Sequence, residues 1–126
     1  MENKKIILAI DDNPVDLNTF QGILVPRFIL RAAKSASEAL AFLNKNEADI
    51  ILLDIEMPNI SGFEFLYDIR KIPSYMTVPI IIVSSKTGQE FYNEARSSSA
   101  FDVLGKPVQP DKLIEVIEKA LAKAAG

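Results

Sequence analysis

The sequence predicts a doubly wound α/β fold, with one parallel five-stranded sheet covered by helices on both faces. Short apolar runs recur five times, and the segments between them carry helical spacing. The inner runs are apolar at every position, as in Ile50-Ile51-Leu52-Leu53 and Ile80-Ile81-Ile82-Val83. That pattern suits strands buried on both faces rather than one. The chain has 126 residues, 48% of them hydrophobic, which fits one unit (1–126) able to fill its own core.

Ile6 to Ile10 reads as the first strand. Pro14 suits the first turn of a helix whose apolar positions are Leu17, Phe20, Ile23 and Leu24. After Pro26, Phe28-Ile29-Leu30 gives a second strand. Ser35-Ala36-Ser37-Glu38 has the form of a capping box, and Ala39, Leu40 and Leu43 follow on one face. Asp49 to Leu53 is the third strand, and a second capping box, Ser61-Gly62-Phe63-Glu64, opens a helix through Leu66 and Ile69. Pro79 to Val83 is the fourth strand. Gly88 to Ser97 is a weak helix with few apolar anchors (Phe91, Tyr92, Ala95), so the least stable packing is expected there. Phe101 to Leu104 is the fifth strand. Pro110 to Ala125 is an amphipathic helix with Leu113, Val116, Ile117, Ala120 and Leu121 on one stripe. The expected sheet order is 2-1-3-4-5, the flavodoxin-like (βα)5 arrangement.

Composition excludes several chemistries. There is no cysteine, hence no disulfide and no thiolate metal site. There is no histidine, which removes imidazole as base, nucleophile or ligand and with it Ser-His hydrolases and most zinc enzymes. A metal held by this chain must sit on oxygen ligands, favouring magnesium, calcium or manganese. Net charge is −3 and no basic stripe marks a nucleic-acid footprint. The apolar runs are far shorter than a membrane span. The opening Met1-Glu2-Asn3-Lys4-Lys5 carries no cleavage signature, so a soluble cytoplasmic protein is expected.

The chemistry collects at strand ends. The first strand runs into Asp11-Asp12, the third into Asp54, the fourth into Ser84-Ser85 and the fifth into Lys106-Pro107. In a parallel sheet these ends share one edge, and ligands bind where strand order reverses. Three carboxylates so close repel one another unless a proton or a cation intervenes. A divalent cation relieves the repulsion and matches the oxygen donors. With Lys106, the formal charges of Asp11, Asp12, Asp54 and the cation then sum to zero. Asp54 is the natural nucleophile, because a carboxylate can form an acyl phosphate. Ser84 offers a hydroxyl to a phosphoryl oxygen, and the work would be positioning and charge neutralisation.

With these residues the chain resembles the response-regulator receiver domains of two-component signalling. The matching motifs are Asp11-Asp12, Asp54-x-x-Met57-Pro58-x-x-x-Gly62, Ser84 and Lys106-Pro107, and together they span the chain. The resemblance implies that Asp12 and Asp54 ligate Mg²⁺ (or Mn²⁺) directly, that Asp11 acts largely through a metal-bound water, and that the Glu56 backbone carbonyl is a further ligand. It implies phosphotransfer to Asp54 from a histidine kinase or histidine phosphotransfer protein, and a cis Lys106-Pro107 peptide aiming Lys106 into the site. Two positions depart from the pattern. Val103 stands where the family often has an aromatic switch residue, and Ser99-Ala100 where Gly-Ala is usual. The familiar coupling of hydroxyl and ring therefore cannot operate through residue 103.

A module of this kind, monomeric or weakly dimeric, would signal by binding a protein target, through the face of the fourth helix, fifth strand and fifth helix. Alternatively it could relay phosphate or act as a sink. Glu56 and Lys86 could pair across the mouth of the site and hinder water, or be a simple exposed ion pair. Two other classes compete. A constitutive interaction module would usually have lost an acidic or lysine position, and none is lost here. An Asp-nucleophile phosphatase usually carries Asp-x-Asp after the first strand and a cap, whereas this chain has Asp11-Asp12 and is short. Flavin binding is disfavoured because Asp11 and Asp12 would repel the cofactor phosphate.

Overall fold

Alternate residues of a strand point to opposite faces, so a run apolar at every position needs cover on both sides. The computed structural model, which describes residues 3–58 and 60–126, has that arrangement. In chain order it contains β1 (Ile6–Ile10), α1 (Pro14–Leu24), β2 (Ile29–Ala33), α2 (Ala36–Lys45), β3 (Ile50–Leu53) and α3 (Gly62–Arg70). There follow a 3₁₀ turn (Pro73–Tyr75), β4 (Ile80–Ser84), α4 (Gln89–Ser97), β5 (Asp102–Gly105) and α5 (Pro110–Ala125). The strands are parallel in the order β2-β1-β3-β4-β5, as expected.

The sheet divides the core into two layers. Leu8, Ile10, Ile51, Leu53, Ile80 and Ile82 face α2, α3 and α4. Their neighbours Ile7, Ala9, Ile50, Leu52, Ile81 and Val83 face α1 and α5. Burying one such side chain contributes about 1.5–3 kcal/mol, and the two-faced strands collect it at every residue.

The helix starts follow the sequence. Asn13 caps α1, its side chain accepting from the Val15 N–H, with Pro14 in the first turn. Ser35 caps α2 by accepting from the Glu38 N–H, while the Glu38 carboxylate accepts from Lys34, one residue before the cap. Ser61 caps α3 by accepting from the Glu64 N–H. Gly62 has no alternative: a Cβ there would lie 2.5 Å from Ile55 Cα and 2.7 Å from Ile55 O. The fourth helix has no side-chain cap and starts at Gly88, whose φ of 114° favours glycine. Phe91 and Ala95 anchor it, but Tyr92 does not; it is 39% exposed and meets Phe91 edge-on. Leu121 likewise falls at the margin of the α5 stripe rather than within it.

Element ends differ from the sequence reading in ways that have causes. The second strand runs to Ala33 and begins after Phe28, which is buried under the α1/α5 layer and closes a turn by donating to the Leu24 carbonyl. β2 is an edge strand, so Arg31 and Ala32 are exposed and its apolar signal is short. Asp49 precedes β3; its carboxylate accepts from the Ile6 N–H and pins the two strand entrances together. Likewise Pro79 and Phe101 fall just before β4 and β5, which run on to Ser84 and Gly105.

At the far end of the sheet, Arg70 ties α3 to the chain before β4 and β5. Its guanidinium donates to the carbonyls of Tyr75, Val78 and Ser99 and to Ser99 Oγ. The departure at residue 99 thus has a structural use, since glycine would offer Arg70 no hydroxyl. Arg70→Met leaves three carbonyls without this donor. It should destabilise the fold by ~1–3 kcal/mol, read as a lower urea midpoint at unchanged slope.

Candidate functional site

Backbone ladder bonds carry the strand ends into one cleft. Asp11 N–H donates to Ala33 O, Asp54 N–H to Ile10 O and Lys106 N–H to Ser84 O, each at 3.0 Å. Each carboxylate is then aimed by its own chain: Asp11 Oδ1 accepts from the Asn13 N–H and Asp54 Oδ1 from the Glu56 N–H, both at 2.9 Å. Both are turns of Asx type, so each aspartate's own loop fixes its direction. The cleft has a volume of about 550 Å³ and is lined by Asp12, Asp16, Asp54, Glu56, Ser85 and Lys106 among others.

Among the described residues, the buried polar or charged side chains are Asp11, Asp54 and Ser84, all at this cleft. Polar burial is costly unless hydrogen bonds or paired charges offset it. Asp11, Asp12 and Asp54 each offer an oxygen within 4.8 Å of the other two, with Asp12 exposed at the rim. This oxygen-only donor set, with two of its members buried, fits a hard divalent cation. The Lys106 ammonium meets the same cluster, 2.9 Å from Asp11 Oδ2 and 3.4 Å from Asp54 Oδ2. The peptide to Pro107 is cis, as the resemblance implied.

Three features lay outside the sequence reading. Asp16, in the first turn of α1, takes the shortest bond to Lys106, at 2.7 Å. Its position on a helix start reads in sequence as a favourable dipole partner and nothing more. Secondly, the Ser84 hydroxyl is already committed: it donates to Glu56 Oε1 at 2.9 Å, beside Ser85 Oγ at 2.8 Å. The expected Glu56–Lys86 pair is replaced by these hydroxyl contacts, and no ion pair joins those two residues within 4.0 Å among the described residues. Thirdly, Val103 is half-buried in the α4-side layer, so its place is filled by ordinary packing.

Charge at the site is therefore more negative than the expected balance. Asp11, Asp12, Asp16, Asp54 and Glu56 face Lys106, leaving four net negative charges before a cation and two after a divalent one. Each titration shift at the site has its own local cause. Burial pushes the Asp11 carboxyl up, against the pull of Lys106 and the Asn13 N–H. Burial opposes the Lys106 charge, but bonds to Asp16 and Asp11 and the nearby Asp54 outweigh it and hold the ammonium above the ordinary lysine range. The Ser85 and Ser84 hydroxyls hold Glu56 below the usual carboxylate range, and Lys86 adds a longer-range pull.

Comparison with known proteins converges on the same reading. The family model "Response regulator receiver domain" matches residues 7–118. The chain belongs to this family. It is similar to the two-component response regulator ORR5 of Oryza sativa, 31% identical over 117 residues, covering 91% of this chain and 87% of that protein. Among solved structures, a CheY-like response regulator receiver domain protein from Methanospirillum hungatei superposes with a TM-score of 0.86 at 27% identity, covering 96% of each chain. Chemotaxis protein CheY4 of Vibrio cholerae gives 0.87 at 28% identity, covering 94% of this chain and all of that one. The protein is thus a receiver domain of two-component signalling, a phosphoacceptor module whose family binds Mg²⁺ at an acidic pocket. Receivers of this family work with histidine kinases or phosphotransfer proteins and with downstream targets. No helix among the described residues is long and apolar enough to cross a membrane.

Proposed function

We propose that this receiver accepts a phosphoryl group on Asp54, with Asp11, Asp12 and Asp54 and the Glu56 backbone carbonyl as the ligands of Mg²⁺ (or Mn²⁺). The observation that carries the proposal is the Lys106 ammonium, 3.4 Å from Asp54 Oδ2 inside the only acidic cluster of its kind among the described residues. An Asp54 carboxylate oxygen forms a bond to phosphorus as the donor's phosphorus–nitrogen bond breaks, and the imidazole of the partner's phosphohistidine leaves with the electron pair. Bound Mg²⁺ supplies charge neutralisation of the transferred group. Lys106 supplies a second cation, and Asp54 is pre-aimed by the Glu56 N–H. The donor brings the histidine that this sequence lacks.

Phosphorylation would act through protein–protein binding on the face of α4, β5 and α5. Residues 1–126 serve as one receiver unit, cytoplasmic and monomeric or weakly dimeric, that transfers phosphate to itself and loses it slowly rather than turning over a substrate. The test is incubation with phosphoramidate and Mg²⁺, read by intact mass. One phosphoryl adduct should form, and Asp54→Asn should abolish it. A folded native chain that gains no adduct would indicate a constitutive binding module. Rapid release of phosphate from many esters would indicate a phosphatase.

A further inference from the structure

We propose that Asp16 is a positioning residue that holds Lys106 back from the phosphoryl site, as a built-in brake on phosphorylation. This rests on the reading of Asp54 as the acceptor. An ammonium has three N–H donors. Here two are spent on Asp16 and Asp11 at 2.7 and 2.9 Å, while Asp54 stands at 3.4 Å, beyond both. The carboxylate that reacts is thus the one Lys106 serves least. Phosphorylation replaces the Asp54 carboxylate, of charge −1, with an acyl phosphate of close to −2, whose oxygens compete for the same ammonium. Asp11 is buried and fixed by the Asn13 N–H, so it keeps its share. Asp16 is the partner that can let go. Its side chain is 26% exposed against 1% for Asp11, so water can take over its solvation. It also lies in the first turn of α1, where the helix dipole favours a negative charge left without its cation. Phosphorylation therefore exchanges one anion for another on Lys106, and frees a carboxylate on the α1 side of the cleft.

The test uses the full chain with Mg²⁺ and follows adduct formation on Asp54 by intact mass over a range of phosphoramidate concentrations. Asp16→Asn keeps the shape and removes the charge. It should raise the rate at low donor about fivefold, equal to ~1 kcal/mol, with most of the gain in half-saturating donor concentration. Affinity for beryllofluoride, a tetrahedral stand-in for the phosphoryl group, should rise by a similar factor. Asp16→Glu should restore the slow rate. A loss confined to packing would lower thermal stability in both variants and leave the donor half-saturation unmoved. Unchanged or slower phosphorylation in a folded Asp16→Asn, with native chain forming adduct, overturns the brake alone. Absence of adduct from native chain and variant alike overturns the brake and the acceptor reading together.

Discussion

Gly62→Ala should lose about 3 kcal/mol of stability, roughly 10 °C in melting temperature. The added methyl meets the Ile55 backbone, 2.5 Å from Cα and 2.7 Å from the carbonyl oxygen, and no rotamer change can relieve it. Either α3 must lift or Ile55 must move. Ile55 follows Asp54 directly, so the second relief tilts the proposed phosphoacceptor carboxylate. Thermal melts and phosphoryl-adduct rates on the same sample separate the two. A variant that melts like the native chain would show that the α3 start yields without cost. Gly22 is the matched control, because a Cβ there has nothing within 4 Å and its change to alanine should stabilise the helix slightly.

The second large effect is the response to a cation. Saturating Mg²⁺ at a hundred times its dissociation constant should stabilise the native chain by ~2.7 kcal/mol, because the unfolded chain does not assemble the cluster. Asp12→Asn should remove most of that gain. Asp12 is exposed, so its neutralisation costs the metal-free fold little and relieves repulsion within the cluster. The curves should therefore cross: the variant at least equals the native chain in chelator and falls well below it in Mg²⁺. Equal stabilisation of both proteins would place the cation elsewhere.

The parts of this site that the sequence made legible are those set by topology. Asp11, Asp12, Asp54, Ser84 and Lys106 lie at or just beyond strand ends, and a parallel sheet delivers those ends to one edge. What escaped depends on side-chain direction. Asp16 sits in the first turn of a helix, where an acid is common on grounds of the dipole alone, and only the cleft geometry reveals that Lys106 reaches it. Glu56 was read by spacing as a partner for Lys86, but two hydroxyls stand nearer. The second strand was located but cut short, because an edge strand with one wet flank loses the apolar continuity that identifies its inner neighbours.

Gly88 gives the join between β4 and α4 a mechanical character. The segment leaving β4 enters α4 through a residue with no side chain and no side-chain cap, at φ 114°. Its helix rests on the sheet through little more than Phe91 and Ala95. With so few anchors, it is expected to open locally at lower cost than the strands beneath. A tug on Ser84, a few residues upstream, has a ready lever in a protein whose residue 103 has no ring to turn.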